Sequence, residues 1–295
     1  MHLGGPTGVV STLAKPLQIR ADGVGLAIAF VLACAAYTPL VVTLFHVSTV
    51  STSLGALCTD FYVNHRLGLT LDLPSHRESV LDLFGRLRKE MPELDRFRRY
   101  NGELALESPE LGGRYAWVAL QRTSVRSGWV NPDDLVAAYA LHRMLLENAP
   151  YFLSITPLDV ECIELVFGFD LDVSGNRNEI VFDALIAGSP FAEVVQQDRE
   201  HLSDVQPFLV MSLDEDERTQ ASVEVKTRGG SHEVPGGTSR DPLSVYLTVR
   251  RNGPFRDLKE LPDVLAMLAG HAERMVEDRI IPSVLMPLHA RIVSG

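Results

Sequence analysis

The feature that most constrains this chain is an uncharged segment close to its N-terminus. The 23 residues from Gly23 to Phe45 include no Asp, Glu, Lys, Arg or His. A helix of about 20 apolar residues is long enough to cross the hydrocarbon core of a bilayer. Whether this segment spans a membrane therefore decides whether the rest of the chain folds beside a membrane or away from one.

Three interpretations fit this segment. As a single membrane span over about residues 23–47, it would follow Lys15 and Arg20, which the positive-inside bias keeps in the cytoplasm. In a cytoplasmic protein, it would form a buried helix and a buried strand separated at Pro39, because proline interrupts a helix. In the third interpretation, residues 1–59 are a leader or a misassigned start outside the folded protein.

The composition of the chain changes near residue 60. Of the 38 acids and 27 bases in the chain, residues 1–59 contain only one acid and two bases. The formal net charge of −11 argues against a general nucleic-acid-binding protein, because phosphate binding needs a basic surface. The expected partners are therefore proteins or small molecules, and a homodimer is one of the assemblies that we consider.

The sequence carries no familiar catalytic signature. Cys34, Cys58 and Cys162 are odd in number and widely spaced, which favours neither a zinc site nor a disulfide framework. A phosphate-binding loop, a dinucleotide fingerprint, a G-x-S-x-G elbow and an H-E-x-x-H pair are all missing from the sequence. We therefore expect no organic cofactor, and binding is favoured over catalysis.

Beyond residue 60, the apolar periodicity predicts a similar order of elements twice. In residues 60–157 the predicted elements are a strand at Leu67–Leu73, a helix ending before Pro92, strands at Tyr100–Glu107 and Tyr115–Val125, and a helix at Asn131–Asn148. In residues 158–295 they are a strand at Glu161–Asp172, a helix from about Asn178, strands at Phe208–Leu213, Ala221–Arg228 and Leu243–Arg251, and an amphipathic helix at Leu258–Arg279.

This order predicts an α+β protein made of two strand-helix-strand-strand-helix halves, residues 60–157 and 158–295. Each half would place its helices on one face of an antiparallel sheet. At the level of topology, the arrangement resembles tandem ferredoxin-like folds and small-molecule-sensing folds. Such a resemblance concerns architecture only, because one fold can support many functions.

The strongest local constellation resembles the start of a calcium-binding loop. Asp170, Asp172, Ser174 and Asn176 alternate along the chain, as oxygen ligands of a hard cation do, and Gly175 could supply the sharp turn. The loop lacks the bidentate glutamate expected at its twelfth position. The alternative interpretation is a strand-to-helix turn in which these residues serve turn geometry and helix capping.

A basic cluster follows the first predicted helix of the main part. Arg96, Arg98 and Arg99 are its last members and could contact an anion or an acidic partner. The alternative is a solvated face. Tyr115 and Trp117 share one face of a predicted strand and could line a ligand cleft between sheet and helix, or form ordinary core.

Three functions follow from these features. The first is a non-enzymatic protein that binds a ligand or a partner, tethered to a membrane if residues 23–47 span it and cytoplasmic otherwise. The second is an enzyme dependent on a divalent cation, with Asp170, Asp172 and Asp183 as its acids. The third is an assembly component that self-associates through the apolar stripe of the helix at Leu258–Arg279.

Overall fold

The computed structural model describes residues 56–74, 76–195, 201–227 and 242–295. The uncharged segment at residues 23–47 lies outside these residues. Within the described ranges, every helix is too short or too polar to cross a bilayer.

All the strands of the described residues join one antiparallel sheet. They are β1 (Asp60–Leu69), β2 (Arg96–Tyr100), β3 (Glu103–Glu107), β4 (Tyr115–Gln121), β5 (Ser124–Val130), β6 (Val160–Leu171), β7 (Phe208–Ser212), β8 (Thr219–Lys226) and β9 (Leu243–Asn252). Over the described residues the sheet has nine strands, in the order β2-β3-β4-β5-β1-β6-β9-β8-β7. The fold is therefore α+β, as the sequence predicts.

The helices connect and follow these strands. They are α1 (Arg77–Glu90), α2 (Leu135–Phe152), α3 (Arg177–Leu185), α4 (Leu261–Met275) and α5 (Met286–Ser294). A π-helical segment at Val276–Leu285 links α4 to α5, and it contains Pro282, which cannot donate an ordinary helical hydrogen bond. Short 3₁₀ turns lie at Pro190–Val194 and Leu258–Glu260.

One face of the sheet is apolar and packs against the helices. Successive side chains of a strand point to opposite faces, so the odd-numbered residues of β1 and β6 share a face. This face carries Val63, Leu67, Leu165 and Phe167, none of which is exposed to solvent. Helices α2 and α4 contact its central strands. We name this surface the helix face.

The apolar stripe of α4 lies inside this core. Leu261, Leu265, Leu268 and Ala272 are all buried against the sheet. The Tyr139 hydroxyl of α2 donates a hydrogen bond to Glu273 Oε1 of α4 at 2.8 Å, which ties the two central helices together. The stripe is therefore filled by the protein's own core, and it does not offer a surface for self-association.

The predicted element types are mostly correct, but the bounds of several elements differ. The predicted strand Tyr100–Glu107 includes the turn between β2 and β3, and the predicted strand Tyr115–Val125 includes the turn between β4 and β5. Helix α2 begins one residue after Asp134, whose side chain accepts from the backbone N–H of Ala137 at 2.7 Å. Asn131 instead has a φ of 47° and bonds the Phe61 N–H with its side chain, which connects β5 to β1.

The two predicted halves meet in the middle of the sheet. Strand β1 of the first half pairs with β6 of the second, from Asp60 opposite Asp170 to Leu69 opposite Val160. The halves therefore contribute to one continuous sheet and one apolar core. That residues 60–157 and 158–295 are two copies of one unit goes beyond this topology and stays a prediction.

Two glycines permit large aromatic side chains to lie across neighbouring strands. A Cβ atom on Gly168 of β6 would overlap the ring of Tyr62 on β1. A Cβ atom on Gly128 of β5 would overlap Trp117 of β4 and the amide of Asn64. The aromatic rings thus take the space that a side chain on the neighbouring strand would need.

We predict that Gly168→Ala destabilises the protein, because the added methyl group must displace the Tyr62 ring. The expected loss is about 1–3 kcal/mol, typical of overpacking. Chemical denaturation monitored by circular dichroism would measure it. Gly85→Ala is the matched control: nothing lies within 4 Å of its added Cβ, and α1 should gain about 0.5–1 kcal/mol. Equal stability of the two variants would contradict the proposed overlap.

Candidate functional site

The second face of the sheet is rich in charged and aromatic side chains. It carries the residues that alternate with those of the helix face. Its members, taken in order across the sheet, include Glu103, Trp117, Arg126, Arg66, Glu164 and Arg250. We name this surface the polar face, and we regard it as the candidate functional site.

Two guanidinium groups share one carboxylate at the centre of the polar face. Arg66 Nη1 lies 3.0 Å from Glu164 Oε2, and Arg250 Nε lies 3.1 Å from Glu164 Oε1. The three residues come from β1, β6 and β9, which are neighbours in the sheet. Each side chain retains some solvent exposure. This triad has one formal positive charge in excess and is accessible from solvent.

A thiol lies between the two guanidinium groups of this triad. Arg250 Nη2 is 3.1 Å from Cys162 Sγ, and Arg66 Nη1 is 3.7 Å from the same atom. Burial raises the pKa of the Cys162 thiol, Glu164 raises it further, and the two arginines oppose that change. The thiol is also fully buried, so it lacks the access that a reactive cysteine needs.

Arg126 continues the row of charges toward the other end of the sheet. It lies opposite Arg66 in the β1–β5 ladder, and its Nη1 atom is 3.9 Å from Glu103 Oε2. Its guanidinium also lies over the Trp117 ring, 5.7 Å from the centroid. Such a cation–π contact holds an aromatic ring beside the charged row.

A second cluster on the polar face contains two aspartates and two tyrosines. Asp60 and Asp170 are partners in the β1–β6 ladder. Asp170 Oδ1 accepts from the Ser244 hydroxyl at 2.7 Å and from the Tyr62 hydroxyl at 3.4 Å. The Tyr62 and Tyr246 rings lie 6.3 Å apart. These contacts place an acidic, aromatic patch beside the basic row.

Burial changes the proton affinity of this second cluster. Desolvation and the charge of Asp60 raise the pKa of Asp170 above its ordinary value, although the hydrogen bonds from Ser244 and Tyr62 oppose this change. Desolvation and the charges of Asp60 and Asp170 raise the pKa of the Cys58 thiol to about 12. Burial also raises the pKa of Tyr62 and of Tyr246. The thiol and phenols are therefore protonated near neutral pH, a state that suits hydrogen bonding better than nucleophilic attack.

The residues of the predicted calcium loop make several structural hydrogen bonds. Asp170 belongs to the cluster on the polar face, whereas the backbone N–H of Asp172 donates to the Thr59 hydroxyl at 3.1 Å. Asn176 Oδ1 caps α3 by accepting from the Asn178 N–H, and Ser174 is exposed in the turn before it. This is the geometry that the capping interpretation predicts.

The cation-dependent interpretation finds little geometric support in the described residues. Asp183 Oδ2 lies 2.9 Å from Arg291 Nε, so its charge is used in an ion pair with α5. Among the described residues, His, Cys, Asp and Glu side chains form no group of three suited to a metal ion. Calcium binding by Asp170, Asp172, Ser174 and Asn176 stays a prediction.

The basic cluster forms the edge strand β2. Arg96, Arg98 and Arg99 are exposed there, and Arg98 Nε is 3.8 Å from Glu107 Oε2 on β3. Arg96 and Arg98 project to the polar face, because they lie opposite Glu107 and Ala105 in the ladder. Their predicted contact with an anion or an acidic partner remains untested, but two of them border the candidate site.

The predicted aromatic pair lies on the polar face and not between sheet and helix. Tyr115 and Trp117 lie opposite Val130 and Gly128 of β5, two positions that share the polar face with Arg126. The aromatic pair therefore contributes to an open surface.

A shallow cleft on the other side of the sheet is less suited to a ligand. It has a volume of about 370 Å³ and is lined by residues from the β7–β8 turn, β9 and α4. Its basic residue, Arg251, already bonds Asp214 and the Thr219 hydroxyl. The cleft is open rather than enclosed, and small-molecule sites normally surround most of the ligand.

The sequence did not reveal a buried cluster of two histidines and a serine. The Ser127 hydroxyl lies 2.8 Å from His142 Nδ1 and 3.4 Å from His65 Nδ1, and the two imidazole rings are 5.6 Å apart. A serine beside a histidine resembles a catalytic pair. However, His142 and Ser127 are 0% exposed and His65 is 1% exposed, so no substrate reaches them. The cluster belongs to the core between α2 and the sheet.

Comparisons of this chain with known protein families, with curated proteins and with solved structures found no match. The site must therefore be interpreted from its own geometry.

We predict that the histidine cluster makes the protein less stable in mild acid. Burial lowers the pKa of His65 to about 3 and that of His142 well below its ordinary value, so both are neutral when folded. Below pH 6.5 these two histidines bind protons in the unfolded chain but stay neutral in the folded protein. Each histidine should then reduce the free energy of unfolding by about 1.4 kcal/mol per pH unit. The raised pKa of Asp170 contributes in the opposite direction.

Urea denaturation at pH 7, 6 and 5 measures this dependence. Replacing either buried histidine (His65→Leu or His142→Phe) should reduce the slope of unfolding free energy against pH, whatever its effect on stability at pH 7. His201→Gln, at an exposed position, should keep the wild-type slope. A wild-type free energy of unfolding that is unchanged between pH 7 and pH 5 would contradict the prediction that both buried histidines are neutral in the folded protein.

Proposed function

We propose that this protein is a non-enzymatic binding protein that holds a polypeptide partner on the polar face of its sheet. One observation carries the proposal. The triad of Arg66, Glu164 and Arg250 has one positive charge in excess and is partly exposed on the polar face, which also carries large aromatic side chains. Arg, Tyr and Trp are the residue types most enriched at the energetic centres of protein interfaces.

The chemistry of this surface favours a partner with a carboxylate. A guanidinium group binds carboxylates through charge-assisted hydrogen bonds, and here two guanidinium groups share the single charge of Glu164. The Tyr246 ring lies on the same face, and Lys226 lies over it at 5.3 Å from the centroid. An acidic segment with a neighbouring aromatic or aliphatic side chain would match both features.

The shape of the surface favours a polypeptide over a small molecule. The polar face is one side of a nine-stranded sheet and extends in two dimensions. Between Asp60 and Arg66 the rise of a strand predicts a separation of about 20 Å, the length of about six extended residues. An extended segment can contact the acidic cluster and the basic triad at once.

Binding also agrees better than catalysis with the ionisation of the site. The Cys58 and Cys162 thiols are kept protonated, and the imidazoles of His65 and His142 are enclosed in the core. These groups stabilise the fold and offer no activated nucleophile on the polar face. The proposal therefore assigns the face a recognition role.

Selection of random peptides against the purified protein tests this function. We expect enrichment of segments that contain Asp or Glu next to an apolar residue. Arg250→Gln should weaken the best of these peptides by roughly 10- to 100-fold, as expected for loss of one charge-assisted hydrogen bond. Fluorescence anisotropy with the labelled peptide would measure the change.

Arg143→Gln is the matched control, because Arg143 is an exposed arginine on α2 that pairs with Glu147. It should leave peptide affinity unchanged. Tyr246→Leu should also weaken binding and would separate the aromatic contribution from the charge. Selection without acidic enrichment, or equal affinity of the wild type and Arg250→Gln, would reject the proposal.

A further inference from the structure

We infer that the edge strand β7 pairs with β7 of a second copy of this chain, which joins two sheets into one. The strand lies at the end of the sheet that the described residues form, and Phe208, Leu209 and Val210 are 59%, 64% and 57% exposed. Three consecutive apolar residues at an open edge are unusual, because such an edge is a template for another strand.

The backbone of β7 is oriented for this pairing. The Val225 N–H donates to the Pro207 carbonyl, and the Leu213 N–H donates to the Thr219 carbonyl. In an antiparallel ladder, alternate residues bond to the same neighbour. The odd-numbered residues thus face β8, and Phe208, Val210 and Ser212 direct their N–H and C=O groups away from the sheet. These three residues can bond a further strand.

The opposite edge of the sheet is protected in a way that β7 is not. Strand β2 has the sequence RFRRY, and its three arginines would repel a second copy of the same strand. Strand β7 has the sequence FLVMS and no charge. A copy related by two-fold symmetry therefore meets no like charge within β7, despite the net charge of −11 on each chain.

A two-fold axis at Val210 gives every residue of β7 a suitable partner. Val210 would lie opposite Val210 of the second copy, Leu209 opposite Met211, and Phe208 opposite Ser212. The acidic turn that begins at Asp214 would lie outside this ladder. Such a pairing is self-complementary and closes at two copies, whereas pairing β7 with the basic β2 edge would continue into open chains.

Sedimentation velocity over a range of concentrations tests the pairing. The wild type should form dimers, and Val210→Lys should weaken dimerisation at least about tenfold, because it places two lysines opposite each other. Val136→Lys is the matched control: Val136 is 68% exposed on α2, and its replacement should leave the dimer unchanged. A wild type that is monomeric throughout, or a dimer that Val210→Lys does not weaken, would overturn the inference.

A cysteine scan of β7 tests the register. Directly opposed residues in a hydrogen-bonded pair have Cα atoms about 5.5 Å apart, which suits a disulfide. In a Cys34→Ser background, where Cys58 and Cys162 are buried, Val210→Cys should cross-link two copies under mild oxidation. Ser212→Cys should cross-link much less. Equal cross-linking at both positions would exclude this register, and none at either would exclude paired β7 strands.

Discussion

The ladder between β1 and β6 is the interaction on which the rest of the structure depends. It joins residues 60–157 to residues 158–295 in the middle of the sheet, from the pair Asp60–Asp170 to the pair Leu69–Val160. Because side chains alternate between faces, this register directs Val63 and Phe167 into the core together. A slip of one residue would place the apolar rows in solvent and the charged rows in the core.

The same register creates the candidate site. Arg66 and Glu164 are partners across β1 and β6, and Glu164 in turn lies opposite Arg250 of β9. Asp60 and Asp170 lie at the other end of the same ladder. Burial of the helix face therefore sets the register of the strands. The same register determines which side chains are neighbours on the polar face.

The sequence predicted local structure better than contacts between distant segments. The alternation in Glu161–Asp172 and the strand that begins at Phe208 depend on neighbouring residues, and both segments form the predicted kind of element. The helix predicted from Asn131 also forms, but it begins after the cap at Asp134. The triad and the His65–Ser127–His142 cluster could not be predicted, because their members lie on different elements. The pairing of Asp183 with Arg291 likewise depends on how α5 returns to α3.

Strand pairing through β7 and recognition on the polar face would support each other geometrically. Residues directly opposite each other in an antiparallel ladder project to the same face of the sheet. Because Val210 belongs to the polar face, a two-fold axis through it leaves both polar faces on one side of the joined sheet. A partner with two acidic segments could then bind both copies at once, and the second contact would form at the high effective concentration that a linked site provides.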